Sequence, residues 1–476
     1  MPDNEVSKTP RRVMGFRDLF LFYVVTGISL RWIATAATAG ASAVVIWLIA
    51  WFAFYLPLVM SVMELTSRYP QEGGMYVWTK RAFGDFSGFL GGWTYWVSNI
   101  PYFPAILYFA ASCALYLGPP SWRHLAGNRA YFILFSLAGL LLGTALNIVG
   151  LNVGKWLHNL GAIGTWLPIG ILYVIAAVAW HRFGSATSFR PANLIPHAHF
   201  RDLLFWATIV FALAGSESAS FLGDEIENPR RNIPRALFCA GIVVTTGYIL
   251  GTVAILIALP SNEVSGLEGI MQAISSAAGR IGLGGIIPIA ALLIVVSNIG
   301  TLGAWLACTA RIPFVAGIDR YLPPAFARLH PRWDTPYVSL ITQSACAALF
   351  IFLGQAGTSV YGAYEVLVSM GIITYFIPYL YVFAALIRLQ GEAAGPEVMR
   401  VPGGKPAAIT LGVVGFTTTL ISIALSVAPG ADEPRPALAV LKIVGLTLIL
   451  LAVGVAIFYL GNRRRHRDLA LRAPLG

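Results

Sequence analysis

Long apolar stretches alternate with short polar connections along most of this chain. A helix needs about 20 apolar residues to cross the ~30 Å hydrocarbon layer of a membrane, and twelve stretches reach roughly that length. The pattern therefore predicts twelve transmembrane helices, of which the third and eighth are long enough to tilt. The predicted spans are 18–40, 43–66, 86–117, 130–150, 156–180, 201–223, 235–259, 282–311, 336–354, 362–388, 406–428 and 437–461.

Composition points to the same class of protein. Of the 476 residues, 57% are hydrophobic and 11% are charged, and the mean hydropathy is +0.73. A soluble domain carries about 25% charged residues, so this composition excludes one. We expect a single membrane domain over 18–461, between a cytoplasmic tail at 1–17 and a basic cytoplasmic tail at 462–476. The cysteines and histidines show no metal-site spacing, and no cofactor is expected.

The net charge of +11 lies mostly in short connections beside the predicted spans. Most of the 32 Lys and Arg residues fall on the side of the membrane that holds the N-terminus. Positive charge marks the cytoplasmic side, so we expect a multi-pass protein of the cytoplasmic membrane with both termini inside. The charge is then explained by the lipid bilayer and not by nucleic acid. The sequence leaves the oligomeric state open.

Two predicted spans contain a glycine and a charge among apolar residues: Gly27 and Arg31 in the first, Gly215 and Glu217 in the sixth. A charged residue inside a membrane is costly and is kept where it faces a cavity or a partner. Unwound backbone is tolerated at that depth only where it lines protein or water. Interrupted spans in corresponding positions of two halves indicate an inverted repeat with a binding site at its interface. The predicted units are 18–180, 201–388 and an appended pair of helices at 406–461.

The sixth span leaves the membrane through a specific motif, Gly215-Ser-Glu-Ser-Ala-Ser220 followed by Glu227-Asn-Pro-Arg-Arg-Asn-Ile-Pro-Arg235. This motif resembles the sixth-helix signature of the amino acid–polyamine–organocation superfamily, a Gly-x-Glu segment followed by an Asn-Pro-Arg-Arg-x-Ile-Pro loop. Three further segments resemble the same family, in the same order along the chain. They are Tyr69-Pro-Gln-Glu-Gly-Gly74, Gly300-Thr-Leu-Gly-Ala-Trp305 and Arg400-Val-Pro-Gly-Gly404.

The resemblance implies an all-α leucine-transporter-type fold of twelve helices. Ten of them form a 5+5 inverted repeat with helices 1 and 6 broken, and two are appended. It also implies a secondary transporter that moves amino acids by alternating access, and not an enzyme. Helix ends at the breaks suit a zwitterion, because free N–H groups attract a carboxylate and unwound carbonyls accept from an ammonium. The expected substrate-binding residues are Thr26, Gly27, Ile28, Arg31, Asn99, Phe211, Gly215, Ser216 and Trp305.

Several of these residues have a second interpretation that the sequence leaves open. Phe211 resembles the family's aromatic gate, and Trp305 a family site aromatic, but either could simply pack in the core. Asn99 resembles a substrate contact of arginine-type antiporters, although an Asn in a span also bonds neighbouring helices. Arg31 departs from the family's Gly-x-Gly break. It could pair with Glu217, bind a substrate carboxylate through its fork of donors, or reach the lipid interface.

Coupling is the least determined property. Glu217 is expected either as a protonatable link between site and coupling or as a structural carboxylate. The fifth-helix Lys of some family members falls at Thr165 here, and Ser297 and Thr301 could supply hydroxyl ligands to sodium. Exchange, proton coupling and sodium coupling all remain possible, with exchange or proton coupling favoured. Near the ends of spans, Asp18 and Glu64 are expected to act as capping or interface residues.

The buried Arg31 favours neutral or acidic amino acids as the transported substrate. A cationic amino acid or a polyamine is the alternative, if Glu217 neutralises the arginine. An amino acid sensor that does not transport would look the same inside the membrane. The charges beside the two interruptions, Arg31 and Glu217, are the sequence feature that discriminates between these substrate classes.

Overall fold

The computed structural model describes residues 15–69, 74–149, 151–196, 200–218, 226–318, 321–333, 335–429 and 435–472. Inside these ranges, only the backbone is described at 22, 25, 26, 151–163, 200–204, 229, 314–318 and 464–472. Most of the predicted tail at 1–17, the middle of the Tyr69–Gly74 motif and the acidic turn at 219–225 lie outside the described residues. Most side chains of the predicted basic tail at 462–476 do so too.

The first predicted span is two helices, α1 (Phe16–Gly27) and α2 (Leu30–Ala37). The break falls at Ile28 and Ser29, whose backbones are both extended, with φ/ψ of −107°/131° and −131°/124°. The carboxylate of Asp18 accepts a hydrogen bond from the backbone N–H of Gly15 at 2.9 Å, so it caps the first turn of α1. The chain then continues through α3 (Ala43–Ala50), one π-helical turn (Trp51–Tyr55) and α4 (Leu56–Arg68) without a break.

The rest of the first half contains α5 to α10. The third predicted span, 86–117, is divided at Ser98, where α6 ends and α7 begins. A short helix precedes it. Gly84 joins these two helices with a φ of 89°, a left-handed conformation that glycine adopts without a Cβ penalty. The helices are α5 (Met75–Phe83), α6 (Asp85–Val97), α7 (Asn99–Ala114), α8 (Arg129–Val149), α9 (Leu151–Phe183) and α10 (Pro191–Leu194).

The second half begins with α11 (Phe200–Ala212), which ends where the sequence predicts the second interruption. A further short helix lies in the connection before the eighth predicted span. The remaining helices are α12 (Pro229–Ala258), α13 (Gly269–Arg280), α14 (Ile286–Ile318), α15 (Tyr337–Gln355), α16 (Val360–Leu389), α17 (Gly404–Leu425) and α18 (Pro436–Arg472).

Nine helical segments within the described residues are long and apolar enough to cross a membrane. The three predicted spans missing from that set are the first, third and sixth. The structure divides the first and third into shorter helices, and in the sixth α11 ends at Ala212, with 219–223 outside the described residues. The fold is thus a helical multi-pass membrane protein, without a β-strand in the part of the chain that the structure describes. The count of twelve spans and the inverted repeat stay predictions.

Small residues let the helices around the first interruption approach closely. A Cβ built on Gly247 of α12 would lie 2.9 Å from Cδ1 of Ile28, and one on Gly251 would lie 2.8 Å from Cδ1 of Ile33. Membrane helices associate mainly through such close packing, because lipid supplies no hydrophobic driving force between them. The two glycines therefore set α12 against the break in the first span.

At the end of α4, the buried carboxylate of Glu64 joins three parts of the chain. It accepts hydrogen bonds from the guanidinium of Arg68 at 2.7 Å, the side-chain amide of Gln390 at 2.7 Å and the backbone N–H of Val401 at 2.9 Å. The connection between α16 and α17 is thereby fixed to α4. Glu64 is an interface residue, as its position near a span end predicts.

Candidate functional site

The break between α1 and α2 is held by one hydroxyl from α12. The hydroxyl of Tyr248 accepts a hydrogen bond from the backbone N–H of Ser29 at 3.0 Å and donates one to the carbonyl of Gly27 at 2.9 Å. The ring of Tyr248 stacks on Trp47 of α3, with 4.5 Å between the ring centroids. Because Tyr248 is fully buried, the unwound backbone has its polar groups satisfied by protein rather than by lipid.

The second interruption is held in a similar way, by a hydroxyl from α16. The hydroxyl of Tyr379 accepts a hydrogen bond from the backbone N–H of Gly215 at 3.0 Å and donates one to the carboxylate of Glu217. Gly215 has a φ of 106°, which side chains with a Cβ rarely adopt. Ser218 closes the turn by donating its hydroxyl to the carbonyl of Gly215 at 2.7 Å.

Glu217 lies inside a group of three tyrosines. Its Oε1 accepts hydrogen bonds from the hydroxyls of Tyr95 at 3.0 Å and Tyr375 at 2.7 Å, and its Oε2 accepts one from Tyr379. The carboxylate is fully buried, so these donors replace the water that it loses. Sequence reasoning missed all three tyrosines. The only available signal was the spacing of Tyr375 and Tyr379, which places two hydroxyls on one face of α16.

Arg31 follows the first break by two residues, is fully buried, and lies among aromatic rings. Its Cζ is 4.1 Å from the ring centroid of Trp32 and 4.6 Å from that of Tyr102. None of its three side-chain nitrogens has a hydrogen-bond partner within the part of the chain that the structure describes.

In this conformation, these contacts exclude two of the three roles considered for Arg31. The described residues contain no ion pair between Arg31 and Glu217, so the pairing hypothesis is wrong in this conformation. The guanidinium does not reach the lipid interface either, because the side chain is enclosed by protein. Binding of a substrate carboxylate is the role that stays open.

Aromatic contacts connect Arg31 to the two predicted aromatic site residues. Trp32 packs edge-on against Phe211 with 5.4 Å between centroids, and Phe211 packs against Tyr375 at 5.3 Å. On the other side, Tyr102 contacts Trp305 at 6.1 Å. Phe211 therefore lies between Trp32, which contacts the guanidinium, and Tyr375, which bonds Glu217. Trp305 is connected to the guanidinium through the ring of Tyr102.

Three of the four remaining predicted substrate-binding residues have identifiable surroundings. The amide of Asn99 donates to the carbonyl of Tyr95 at 3.0 Å, so it bonds α6 where that helix passes into α7. Ile28 packs against Gly247, and Ser216 is buried beside Glu217. Thr26 lies in the last turn of α1, and its side chain is outside the described residues.

A small pocket lies between the end of α1 and the second interruption. Gly27 at the end of α1 and residues 212–216 at the second interruption line it, as do residues of α12 and the π-helical turn. The cavity measures about 20 Å³, space for about one water molecule, so the site is nearly closed in this conformation. Its lining residues include Tyr23, Gly27, Tyr55, Gly215, Ser216 and Val244.

The predicted coupling residues outside the sixth span lie between α9 and α14. The hydroxyls of Thr165 and Ser297 are 2.5 Å apart and both residues are buried. A Cβ on the neighbouring Gly164 would lie 2.5 Å from the carbonyl oxygen of Leu293, which shows how closely the two helices pack. Thr301 is one turn further along α14 and is partly buried.

The chain is similar to known transporters over nearly its whole length. The family model described as amino acid permease matches residues 14–464. An uncharacterized transporter, lpg1691, of Legionella pneumophila is 27% identical over 431 residues, which cover 89% of this chain and 91% of that protein.

Two relatives have descriptive names. The serine/threonine exchanger SteT of Bacillus subtilis is 26% identical over 415 residues, 85% of each chain. The probable agmatine/putrescine antiporter AguD of Lactococcus lactis is 25% identical over 374 residues, 78% of each chain.

Proposed function

The chain belongs to the amino acid permease family of the amino acid–polyamine–organocation superfamily, and from this premise we propose that it exchanges amino acids across the cytoplasmic membrane by alternating access. The observation that carries the proposal is the pair of interrupted helices that share one pocket. Each interruption is held by one tyrosine hydroxyl from a helix of the surrounding bundle. Such a pair of breaks is the arrangement in which transporters bind substrate near the middle of the membrane.

The two hydroxyls suit a site that must change conformation. Each break is held by two hydrogen bonds to a single side chain rather than by a continuous helical ladder. A net contribution of about 0.5–1.5 kcal/mol for a typical hydrogen bond, or about 1.5–3 kcal/mol for one to a charged group, is small enough for substrate binding to offset. The half-helices can then reorient about the breaks while the surrounding bundle stays packed.

Exchange is favoured over ion-driven uptake. SteT is named an exchanger and AguD an antiporter. Sodium binding at Ser297 would have to compete with its hydrogen bond to Thr165. Proton coupling through Glu217 is the alternative mechanism, because that carboxylate contacts both the second break and the helix that carries Tyr375 and Tyr379.

The substrate proposed is a neutral or acidic amino acid. The buried positive charge of Arg31 beside the first break opposes the entry of a second cation. A cationic amino acid or a polyamine is the alternative substrate, since AguD is named for agmatine and putrescine. That alternative requires Glu217 to release its tyrosine donors and bind the cation.

The test is uptake into proteoliposomes that contain the purified protein. Radiolabelled acidic, neutral and basic amino acids and polyamines would each be offered to empty vesicles and to vesicles preloaded with the same compounds. Uptake confined to preloaded vesicles supports exchange. Uptake into empty vesicles driven by a pH or sodium gradient would overturn exchange in favour of coupled transport. Absence of uptake for the whole panel would overturn amino acid transport.

A further inference from the structure

The side chain of Arg31 is a buried cation whose hydrogen-bonding capacity is unused. A guanidinium carries five N–H donors and stays charged at all accessible pH values. Burying a charge without a partner costs several kcal/mol even after the protein relaxes. Yet Nε, Nη1 and Nη2 of Arg31 all lack a hydrogen-bond acceptor among the residues that the structure describes, and the side chain is fully enclosed.

The aromatic neighbours compensate only part of this cost. Trp32 and Tyr102 present ring faces to the guanidinium at 4.1 and 4.6 Å, and such contacts attract a cation. A ring face, however, leaves the N–H donors in the plane of the guanidinium without acceptors. The buried N–H donors of Arg31 therefore stay without acceptors among the described residues.

Among the residues that the structure describes, no carboxylate supplies the missing acceptor. Glu217, the carboxylate at the second interruption, accepts hydrogen bonds from the hydroxyls of Tyr95, Tyr375 and Tyr379 instead. Glu64 is bonded to Arg68 and the connection after α16. The described residues therefore leave the acceptor position at Arg31 to a molecule that enters the site.

We propose that Arg31 binds a carboxylate of the transported substrate, and that the substrate class is acidic amino acids. This inference rests on the proposed transport function. A carboxylate matches the guanidinium fork with two parallel hydrogen bonds. The backbone at the two interruptions is left to hold the α-amino and α-carboxylate groups.

Charge balance selects an acidic substrate over a neutral one. A neutral amino acid is a zwitterion and brings no net charge to the buried guanidinium. An acidic amino acid brings one net negative charge, which compensates Arg31 while Glu217 keeps its tyrosine donors. A basic amino acid or a polyamine would place a second positive charge beside the first, which is unfavourable at low dielectric.

L-Glutamate and L-aspartate are the probes for this site, with L-serine and L-arginine as comparisons. In preloaded proteoliposomes, we expect the wild-type protein to exchange an acidic probe at least tenfold more efficiently than L-serine. The purified wild-type protein should also gain thermal stability with an acidic probe and not with L-arginine. This second measurement needs no variant, so it is independent of any folding defect.

Arg31→Lys and Arg31→Gln test the residue itself. Lysine keeps the charge but loses the fork, so we expect the KM for the acidic probe to rise at least tenfold in Arg31→Lys. Arg31→Gln should lose acidic exchange and retain or gain exchange of L-serine. Arg123→Gln is the matched control, because Arg123 also stacks on a tyrosine, Tyr116 at 4.6 Å, but is exposed. It should behave as the wild type.

The possible outcomes separate this inference from the proposed function. Exchange of only neutral or basic probes by the wild-type protein would overturn the acidic class while leaving amino acid exchange intact. Unchanged KM in Arg31→Lys and Arg31→Gln would overturn the role of Arg31. A chloride requirement for L-serine exchange that disappears in Arg31→Gln would identify chloride as the anion and also overturn the inference. No exchange by the wild-type protein with any probe would overturn transport itself.

Discussion

Tyr379 donates its hydroxyl hydrogen to the carboxylate of Glu217, which lies 162 positions earlier in the chain. The same hydroxyl accepts the backbone N–H of Gly215. One side chain of α16 therefore holds both the carboxylate and the unwound backbone of the second interruption. Any movement of α16 relative to this break must stretch or exchange these two bonds.

Removing that hydroxyl should uncouple the break from α16. In Tyr379→Phe the ring remains but Glu217 loses a donor and the N–H of Gly215 loses its acceptor. A hydrogen bond to a charged group contributes about 1.5–3 kcal/mol, so we expect a lower Tm and at least tenfold slower exchange. Tyr381→Phe is the control, because Tyr381 lies on the same helix with its ring against Phe83. Equal exchange rates in the two variants would contradict the role given to Tyr379.

Glu217→Gln keeps the shape of the side chain but removes its charge. Its single amide oxygen can accept from only part of the three-tyrosine group, and the amide cannot carry a transported proton. We expect the variant to fold, as judged by size-exclusion profile, and to lose most transport in proteoliposomes. Glu263→Gln, at an exposed position after α12, should keep wild-type rates. Full transport by Glu217→Gln would remove Glu217 from the mechanism.

The left-handed backbone at the second interruption predicts the cost of Gly215→Ala. No atom of the described residues lies within 4 Å of a Cβ built at Gly215, so the penalty comes from its φ of 106° and not from a clash with them. A left-handed conformation costs an alanine roughly 1–2 kcal/mol, so we expect a lower Tm. Gly170→Ala is the matched control. A Cβ at Gly170 also has no described atom within 4 Å, but Gly170 lies within the helix α9. That variant should be as stable as the wild type or more stable, and similar losses in both would contradict the explanation.

Arg31→Met tests whether the buried guanidinium costs stability in the absence of substrate. Replacing buried charged groups by apolar side chains of similar volume often stabilises a protein, by about 1–4 kcal/mol. We therefore expect a higher Tm for Arg31→Met than for the wild-type protein when no substrate is added, together with loss of acidic exchange. A lower Tm would indicate that contacts with Trp32 and Tyr102 outweigh the cost of burial.

The connection after α16 should respond to pH through Glu392. The hydrogen bond from the Tyr69 hydroxyl, at 2.6 Å, and the charge of Arg81 hold the pKa of Glu392 below its usual value of 4.5. A lowered pKa means that this carboxylate contributes stability above about pH 4.5 and that the contribution is lost as the pH falls through the folded-state pKa. In Tyr69→Phe the acid-induced fall in Tm attributable to Glu392 should shrink. An identical pH profile of Tm in both proteins would contradict this assignment.

Much of the architecture could be predicted from local sequence. The apolar stretches predicted helices in nearly the right places, and the two interruptions appeared at Ile28–Ser29 and after Ala212, beside Gly27 and Gly215. The third span was predicted as one helix, but it is divided at Ser98. The sequence offers no helix-breaking signal at Ser98 itself, although Pro101 and Pro104 follow within the next turns.

The candidate site could be predicted only in part. The glycines, Glu217 and Arg31 stand out because polar or flexible residues are rare in apolar spans. The tyrosines that bond them do not stand out, since Tyr95, Tyr248, Tyr375 and Tyr379 are ordinary residues of membrane helices until their neighbours are known. The hypothesis that Arg31 pairs with Glu217 relied on opposite charge alone and proved wrong.

The sequence by itself determined that this chain is a helical membrane protein, its family and the positions of its two interruptions. These properties depend on length, composition and local motifs, because lipid requires each spanning segment to satisfy its own backbone hydrogen bonds. Only the tertiary structure decided that Glu217 is bonded by three tyrosines and that Arg31 has no hydrogen-bond acceptor among the described residues. Those contacts join residues far apart in the chain, and they depend on how closely packed helices bring side chains together.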